Sequence, residues 1–125
     1  MNEKVVLGIR ILLGFGLVVF GSNKFIHFME NPPLSPEAAE FMGAMYKTGY
    51  ILYVAGAVQV LAGLSFLTNK FVPLMAVVLF PVMLNAFLFH AVLDPSGIAG
   101  SAVVTTLNVV MMFANKPAYE KILKP

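Results

Sequence analysis

Long apolar stretches alternate with short polar connections along most of this chain of 125 residues. Four of the stretches approach the roughly 20 residues that a helix needs to cross a hydrocarbon core of about 30 Å. Because hydrocarbon offers no hydrogen-bond partners, backbone amides there must pair internally, which favours helices over isolated strands. The pattern therefore predicts four membrane helices, at about residues 5–28, 50–68, 71–93 and 97–114.

The longest connection, about residues 23–49, carries the signals of a further helix. Ser35 is a suitable N-cap, Pro36 suits the first helical position, and Gly49 is a typical C-terminal stop. Between them, apolar residues recur at helical spacing, namely Ala38, Phe41, Met42 and Met45. We expect a short amphipathic helix that lies on the outer membrane surface or across the mouth of the bundle.

The other two connections are short, so consecutive helices are expected to be antiparallel neighbours. The predicted fold is all-α: an integral membrane antiparallel four-helix bundle with a short amphipathic helix in the first outer loop, with residues 1–125 forming one domain. Five lysines fall on the side that holds both termini, whereas the other side has two lysines and four acids. Since positive charge favours the inner side, both termini are expected to be cytoplasmic.

The composition of the chain supports a membrane location. Hydrophobic residues make up 59% and charged residues 11%, against about 25% charged residues in ordinary soluble domains. The absence of cysteine excludes disulfides, thiol catalysis, iron–sulfur clusters and thiolate zinc sites. A net charge of +2 from scattered basic residues gives no footprint for nucleic acid. The partner that the composition predicts is the lipid bilayer.

Four charged or amide side chains fall well inside the predicted membrane helices, away from their outer ends: Arg10, Gln59, Asn85 and Asn108. Such residues are costly in lipid and mark either binding sites or packing seams. Small residues beside them, including Gly14, Gly21, Gly56 and Gly63, indicate that these faces point into the bundle. The amides then either hydrogen-bond between helices or bind a ligand, and Arg10 either snorkels to the surface or pairs within the bundle.

A second polar group is expected at the outer ends of the first and third membrane helices. It comprises Asn23, Lys24, His27, His90 and Asp94. Three interpretations stay open: two histidines that ligate a haem iron or a metal, a site for a polar head such as a quinone carbonyl, or interfacial residues in water. In the last case the Asp94 carboxylate caps the fourth helix ahead of Pro95. No spacing places a hydroxyl nucleophile beside either histidine, so no catalytic residue is assigned.

Several short motifs occur in a characteristic order along nearly the whole chain. They are Arg10 to Gly14, Phe20 to Phe25, Pro36 to Ala39, Gln59 to Gly63, Asn69 to Leu74, Asn85 to His90 and Asp94 to Gly97. In this order and spacing the chain resembles the DoxX family of small four-helix bacterial and archaeal membrane proteins. The resemblance implies a multi-pass protein of the cytoplasmic (inner) membrane. Relatives often carry glutamate at the position of Gln59, and such an acid could pair with Arg10.

Two functional hypotheses follow. Some relatives are subunits of quinone-linked sulfur oxidation or terminal oxidase systems, which implies an accessory, non-catalytic subunit that binds quinone or a membrane redox complex. Distant relatives act in membrane assembly, which implies a helper that binds another membrane protein or lipid without a redox role. The helper hypothesis has its support in the Met- and Phe-rich face of the predicted amphipathic helix, because such faces adapt to varied partners. A homo-oligomer is compatible with both hypotheses.

Overall fold

The computed structural model describes residues 2–30 and 33–125, and this part of the chain is helical without a strand. The longer helices are α1 (Glu3–Ile26), α2 (Pro36–Thr48), α3 (Tyr50–Thr68), α4 (Val72–Val92) and α5 (Ile98–Ala114). Single 3-10 turns at Pro95–Gly97 and Lys116–Tyr119 lead into α5 and into a last short helix, α6 (Glu120–Leu123).

Four helical segments of the described chain are long and apolar enough to cross a membrane: α1, α3, α4 and the segment Pro95–Ala114. This confirms the four predicted membrane helices, and α3 has the predicted bounds. α1 ends at Ile26, two residues early, because His27 adopts a left-handed conformation with φ 47° and its N–H bonds to the Asn23 carbonyl. The turn at Lys116–Tyr119 and α6 were not predicted, since their sequence has no apolar periodicity.

The second helix, α2, begins and ends at its predicted caps. The Ser35 hydroxyl accepts a hydrogen bond from the Ala38 N–H at 3.3 Å, and Gly49 adopts φ 81° at the C-terminus. The same hydroxyl donates to the Leu93 carbonyl at 2.8 Å. One serine therefore both starts α2 and ties its first turn to the end of α4, which a local sequence signal does not specify.

The membrane helices pack in a closed series, with α1 on α3, α3 on α4, α4 on α5 and α5 on α1. The tightest contact, between α1 and α3, rests on two glycine pairs, Gly14 with Gly63 and Gly21 with Gly56. A Cβ added at Gly63 would lie 2.7 Å from the Gly14 carbonyl oxygen, and one at Gly56 would lie 3.0 Å from the Gly21 carbonyl oxygen. Small residues let helix backbones approach closely in lipid, where packing rather than water exclusion drives association.

The buried core consists mainly of large apolar side chains, including Leu13, Leu17, Phe66, Leu79, Met83 and Met111. Asn108 lies among them with 0% exposure, and its Nδ2 donates to the Ala76 carbonyl at 3.0 Å. Its Oδ1 has no hydrogen-bond partner within the described residues. This contact joins α5 to α4, so of the two interpretations of Asn108 the geometry favours an interhelical hydrogen bond.

Candidate functional site

A cavity of about 290 Å³ lies where α2 passes over α3 and α4. Its polar lining comes from three helices and the turn after α4: Lys24, Gln59, Asn85, His90 and Asp94. Apolar residues of α2 form much of the opposite wall, namely Phe41, Met42 and Met45 together with Tyr46. The rings of Phe41 and Phe89, 5.7 Å apart between centroids, hold α2 against α4. The cavity therefore joins residues that the sequence assigned to two separate groups.

Lys24 and Gln59 form one side of this cavity. The Lys24 Nζ donates a hydrogen bond to Gln59 Oε1 at 2.6 Å, and Gln59 is only 7% exposed. The close approach of α1 and α3 at Gly21 and Gly56 sets this register, because each glycine lies three residues from the pair member on its own helix. A lysine at the end of α1 thus reaches down to an amide that depth alone placed near the middle of the membrane.

His90 and Asp94 form the other polar side. The Nδ1 of His90 lies 3.1 Å from Asp94 Oδ2, and the Ser96 hydroxyl donates to Asp94 Oδ1 at 2.8 Å. Asp94 is 6% exposed, and its side chain makes no helix-capping hydrogen bond. The expectation that it caps the following helix is therefore wrong: the carboxylate contacts the histidine ring and the serine hydroxyl instead.

This arrangement defines which ring nitrogen of His90 is available. A carboxylate beside Nδ1 favours a proton on that nitrogen, as commonly seen where a carboxylate orients a histidine. The other nitrogen, Nε2, then presents a lone pair when the ring is neutral and an N–H when it is protonated. Gly97 packs directly on the ring, since a Cβ added there would overlap Cε1 and Nδ1 of His90.

Asn23 and His27 lie outside the lining of this cavity. The Asn23 Oδ1 accepts from the Met29 N–H at 2.8 Å, which closes the chain after α1. His27 is exposed beside the ring of Tyr46, 6.2 Å away between centroids. The structure thus does not bring the two histidines into one site, and no metal-binding group of three or more His, Asp or Glu occurs within residues 2–30 and 33–125.

Asn85 lines the cavity without a hydrogen-bond partner in the described part of the chain. It is exposed rather than buried. Unlike Asn108, its side chain makes no interhelical hydrogen bond within the described residues, and this leaves its amide available to a ligand.

Arg10 lies far from this cavity, at the opposite end of α1. Its guanidinium donates to the carbonyl of Phe66, in the last turn of α3. Position 59 faces Lys24 instead. The expectation that an acid at position 59 would pair with Arg10 is therefore wrong for this fold, because the register of α1 on α3 places such an acid beside Lys24.

A second, larger space of about 530 Å³ adjoins the cavity. It is lined mainly by apolar residues of α1, α4 and α5, among them Leu13, Leu17, Met83, Val104 and Leu107. Three residues line both spaces, namely Gln59, Ala86 and His90. Along α1 the lining runs from Leu12 to Phe20, a rise of about 12 Å at 1.5 Å per residue. We refer to these spaces as the polar cavity and the apolar groove.

Sequence reasoning missed several residues that shape the site. Ser96 and Gly97 position Asp94 and the His90 ring, and Phe89 contacts both His90 and Phe41. The Asp94-Pro95-Ser96-Gly97 turn was visible in the sequence, but only as a connection between helices. For α2 the sequence left two places open, the membrane surface or the mouth of the bundle, and which of its residues line the cavity follows from how α2 packs on α3 and α4.

The fold and the site define a small multi-helix membrane protein with a polar cavity at one end of a helical bundle. The sequence model of the DoxX family matches residues 5–91, which comprise most of α1, all of α2 and α3 and nearly all of α4. The chain belongs to the DoxX family. Neither the curated proteins nor the solved structures contain a significant match.

Proposed function

We propose that this protein is an accessory, non-catalytic subunit of a quinone-linked redox system of the cytoplasmic membrane, and that it holds a quinone. The observation that carries the proposal is the junction of the polar cavity with the apolar groove at Gln59 and His90. A quinone has a small polar ring and a long apolar tail, so it needs two such spaces side by side.

The polar cavity suits the ring of a quinone in size and chemistry. Its volume of about 290 Å³ is at the lower limit of typical ligand sites, which span roughly 300–1,000 Å³. Lys24 supplies an N–H donor to its lining, and His90 supplies a ring nitrogen. Lys24 and a protonated His90 can each donate to one carbonyl oxygen of a quinone, and a neutral His90 would accept the O–H of a quinol.

The apolar groove suits the tail. Burying each CH₂ group contributes about 0.8 kcal/mol relative to water, although a tail drawn from lipid gains less. The chain has no cysteine that could form a redox pair. We therefore assign electron transfer to a partner protein, with this subunit presenting the quinone at the membrane.

The proposal includes a membrane arrangement. The four membrane helices form an antiparallel bundle with both termini in the cytoplasm, and α2 is an amphipathic helix at the outer surface that covers the polar cavity. Support comes from the distribution of lysines and from the lining of a further pocket, which combines the first turns of α1 and α4 with the last turns of α3 and α5.

The alternative, a helper that binds another membrane protein, rests on the Met- and Phe-rich face of α2. In the structure Phe41, Met42 and Met45 line the polar cavity, so much of that face is occupied by the protein itself. Phe41 keeps 39% exposure. A Phe41→Glu variant that loses co-purification with a membrane partner, while it binds quinone as before, would favour the helper.

Equilibrium binding in lipid nanodiscs tests the proposal. The probes are a benzoquinone with a decyl tail and the same ring with a methyl group in its place. We expect Lys24→Met and His90→Leu each to weaken binding of both probes about tenfold, since a hydrogen bond contributes roughly 0.5–1.5 kcal/mol or more. His27→Ala is the matched control, because His27 lies outside the cavity lining. Folded variants that bind both probes like the parent protein would refute the quinone site.

A variant that fills the groove distinguishes binding of the quinone ring from binding of its tail. Gly100 lines the apolar groove, and a Cβ added there would meet nothing within 4 Å. Gly100→Leu is therefore expected to fold and to fill part of the groove. It should remove the preference for the decyl probe and leave binding of the methyl probe unchanged. An undiminished preference would show that the tail lies elsewhere.

A further inference from the structure

The end of the bundle opposite the polar cavity contains a separate pocket of about 420 Å³. Its lining combines apolar residues with four polar ones: Glu3, Arg10, Asn69 and Asn115. Nothing in the proposed quinone function uses these residues. The pocket lies at the first turns of α1, and the end of a membrane-spanning helix is expected to meet the lipid headgroups.

The position of Arg10 is unusual for a charged residue. It lies within a membrane-spanning helix and is half-buried. Its guanidinium donates to the Phe66 carbonyl, one of the last carbonyls of α3 that lack a partner within their own helix. That contact uses one of five N–H donors, and the only ion pair within the described residues is His90 with Asp94. Among the described residues, Arg10 is thus a cation inside a membrane-spanning helix that has no acidic side chain in salt-bridge contact. Leaving such a charge uncompensated in lipid is costly.

An anion in the pocket would supply the missing charge. The guanidinium presents a planar fork that binds phosphate oxygens in pairs. Two amide side chains, those of Asn69 and Asn115, line the same pocket. Apolar neighbours, including Leu7, Val72 and Met111, suit acyl chains or a glycerol backbone rather than a fully hydrated ion.

Glu3 restricts the anion further. It precedes Arg10 by seven residues on α1, and so lies about 10 Å closer to the helix end. A carboxylate on the outward side of the pocket repels a purely anionic head and attracts an ammonium group. In the pocket the cation lies deep and the anion lies near the surface. An aminophospholipid has the opposite order, since its phosphate lies deeper than its amine, so each of its charges would meet a charge of opposite sign.

We propose that this pocket binds the headgroup of a phosphatidylethanolamine-type lipid, with the phosphate at Arg10 and the primary amine at Glu3. The site is independent of the quinone site, because the two have no lining residue in common. The site attaches the end of the bundle opposite the polar cavity to one lipid molecule.

Native mass spectrometry in mild detergent tests this site, with phosphatidylethanolamine and phosphatidylglycerol added at equal, low concentration. The parent protein should retain one phosphatidylethanolamine in preference to phosphatidylglycerol. Arg10→Gln should reduce retention of both lipids about tenfold or more, as expected for loss of charge-assisted hydrogen bonds. Quinone binding by the same variant should be unchanged, which separates this proposal from the previous one.

Glu3→Gln provides a test that does not depend on a buried residue, because Glu3 is exposed. It should weaken phosphatidylethanolamine and strengthen phosphatidylglycerol, and so reverse or abolish the preference. Lys4→Gln is the matched control, since Lys4 is adjacent, exposed and outside the pocket lining. Full lipid retention by Arg10→Gln would overturn the site. An unchanged preference in Glu3→Gln would overturn the role of the amine.

Discussion

The close packing of α1 on α3 makes Gly63→Ala the most informative test of this fold. A Cβ at residue 63 would lie 2.7 Å from both the Gly14 carbonyl oxygen and Val18 Cγ2, and 2.9 Å from the Val18 backbone nitrogen. Two of these three atoms belong to the backbone of α1, so a change of side-chain rotamer cannot remove the overlap. The helices themselves must move apart.

The size of that movement follows from the contact distances. Ordinary van der Waals contact begins at 3.4 Å, about 0.7 Å more than the distance to the Gly14 oxygen. Overpacking of this kind costs roughly 1–3 kcal/mol. The cost should decline with the spacing at each site, so that Gly63→Ala is worse than Gly21→Ala at 2.9 Å, and Gly14→Ala at 3.1 Å is the mildest.

Reversible unfolding in mixed micelles with increasing dodecyl sulfate, followed by circular dichroism, measures these free energies. Gly16→Ala is the matched control: it makes the same substitution within α1, where the added Cβ would meet nothing within 4 Å. We expect the control to change stability by at most about 0.5 kcal/mol. If Gly63→Ala unfolds at the same dodecyl sulfate fraction as Gly16→Ala, the close approach of α1 and α3 is wrong.

Three further predictions concern the ends of the helices. Ser35→Ala should destabilise the start of α2 by roughly 0.5–2 kcal/mol, because the Ser35 hydroxyl both caps α2 and bonds to the end of α4. The loss should appear as faster hydrogen exchange in residues 36–42, and unchanged exchange would contradict this prediction. Gly97→Ala should displace the His90 ring and weaken binding of the quinone probes as His90→Leu does. Gly43→Ala is the neutral control, because a Cβ added there would meet nothing within 4 Å and Gly43 lines neither space. Burial raises the pKa of Tyr119, so the unfolded chain loses this proton first and stability should fall as pH rises above about 10. Tyr119→Phe should show a shallower fall in melting temperature between pH 9 and 11 (roughly the window of that titration), and equal slopes would refute the assignment.

The helices themselves follow from local features of the chain. Hydrophobic length predicted α3 at its observed bounds, and Ser35 with Gly49 predicted α2, because caps and membrane crossing depend on residues close in sequence. The glycines on α1 and α3 were also recognisable, since close packing in lipid needs small residues on matched faces. Local signals of this kind do not depend on which helices become neighbours.

Tertiary contacts decided which residues line the polar cavity. Depth grouped five polar residues at one end of the bundle, but it did not separate Lys24, which lines the cavity, from Asn23 and His27, which do not. Whether each of these three residues lines the cavity depends on the direction in which it projects from the axis of α1. For His27 it also depends on the left-handed conformation of that residue. Gln59 joined the site because the reach of a lysine side chain exceeds the difference in depth between the two positions.

Arg10 shows the same difference between what its position in the sequence decides and what helix packing decides. The sequence alone placed Arg10 inside the membrane, because its depth follows from the helical rise per residue. It left open whether the guanidinium snorkels or pairs, since that depends on what α3 presents at the same level. The register of α1 on α3 decided the outcome, with the Phe66 carbonyl facing Arg10 and Gln59 facing Lys24. Composition and spacing fix how deep a side chain lies, whereas its partner is fixed by the packing of a helix distant in sequence.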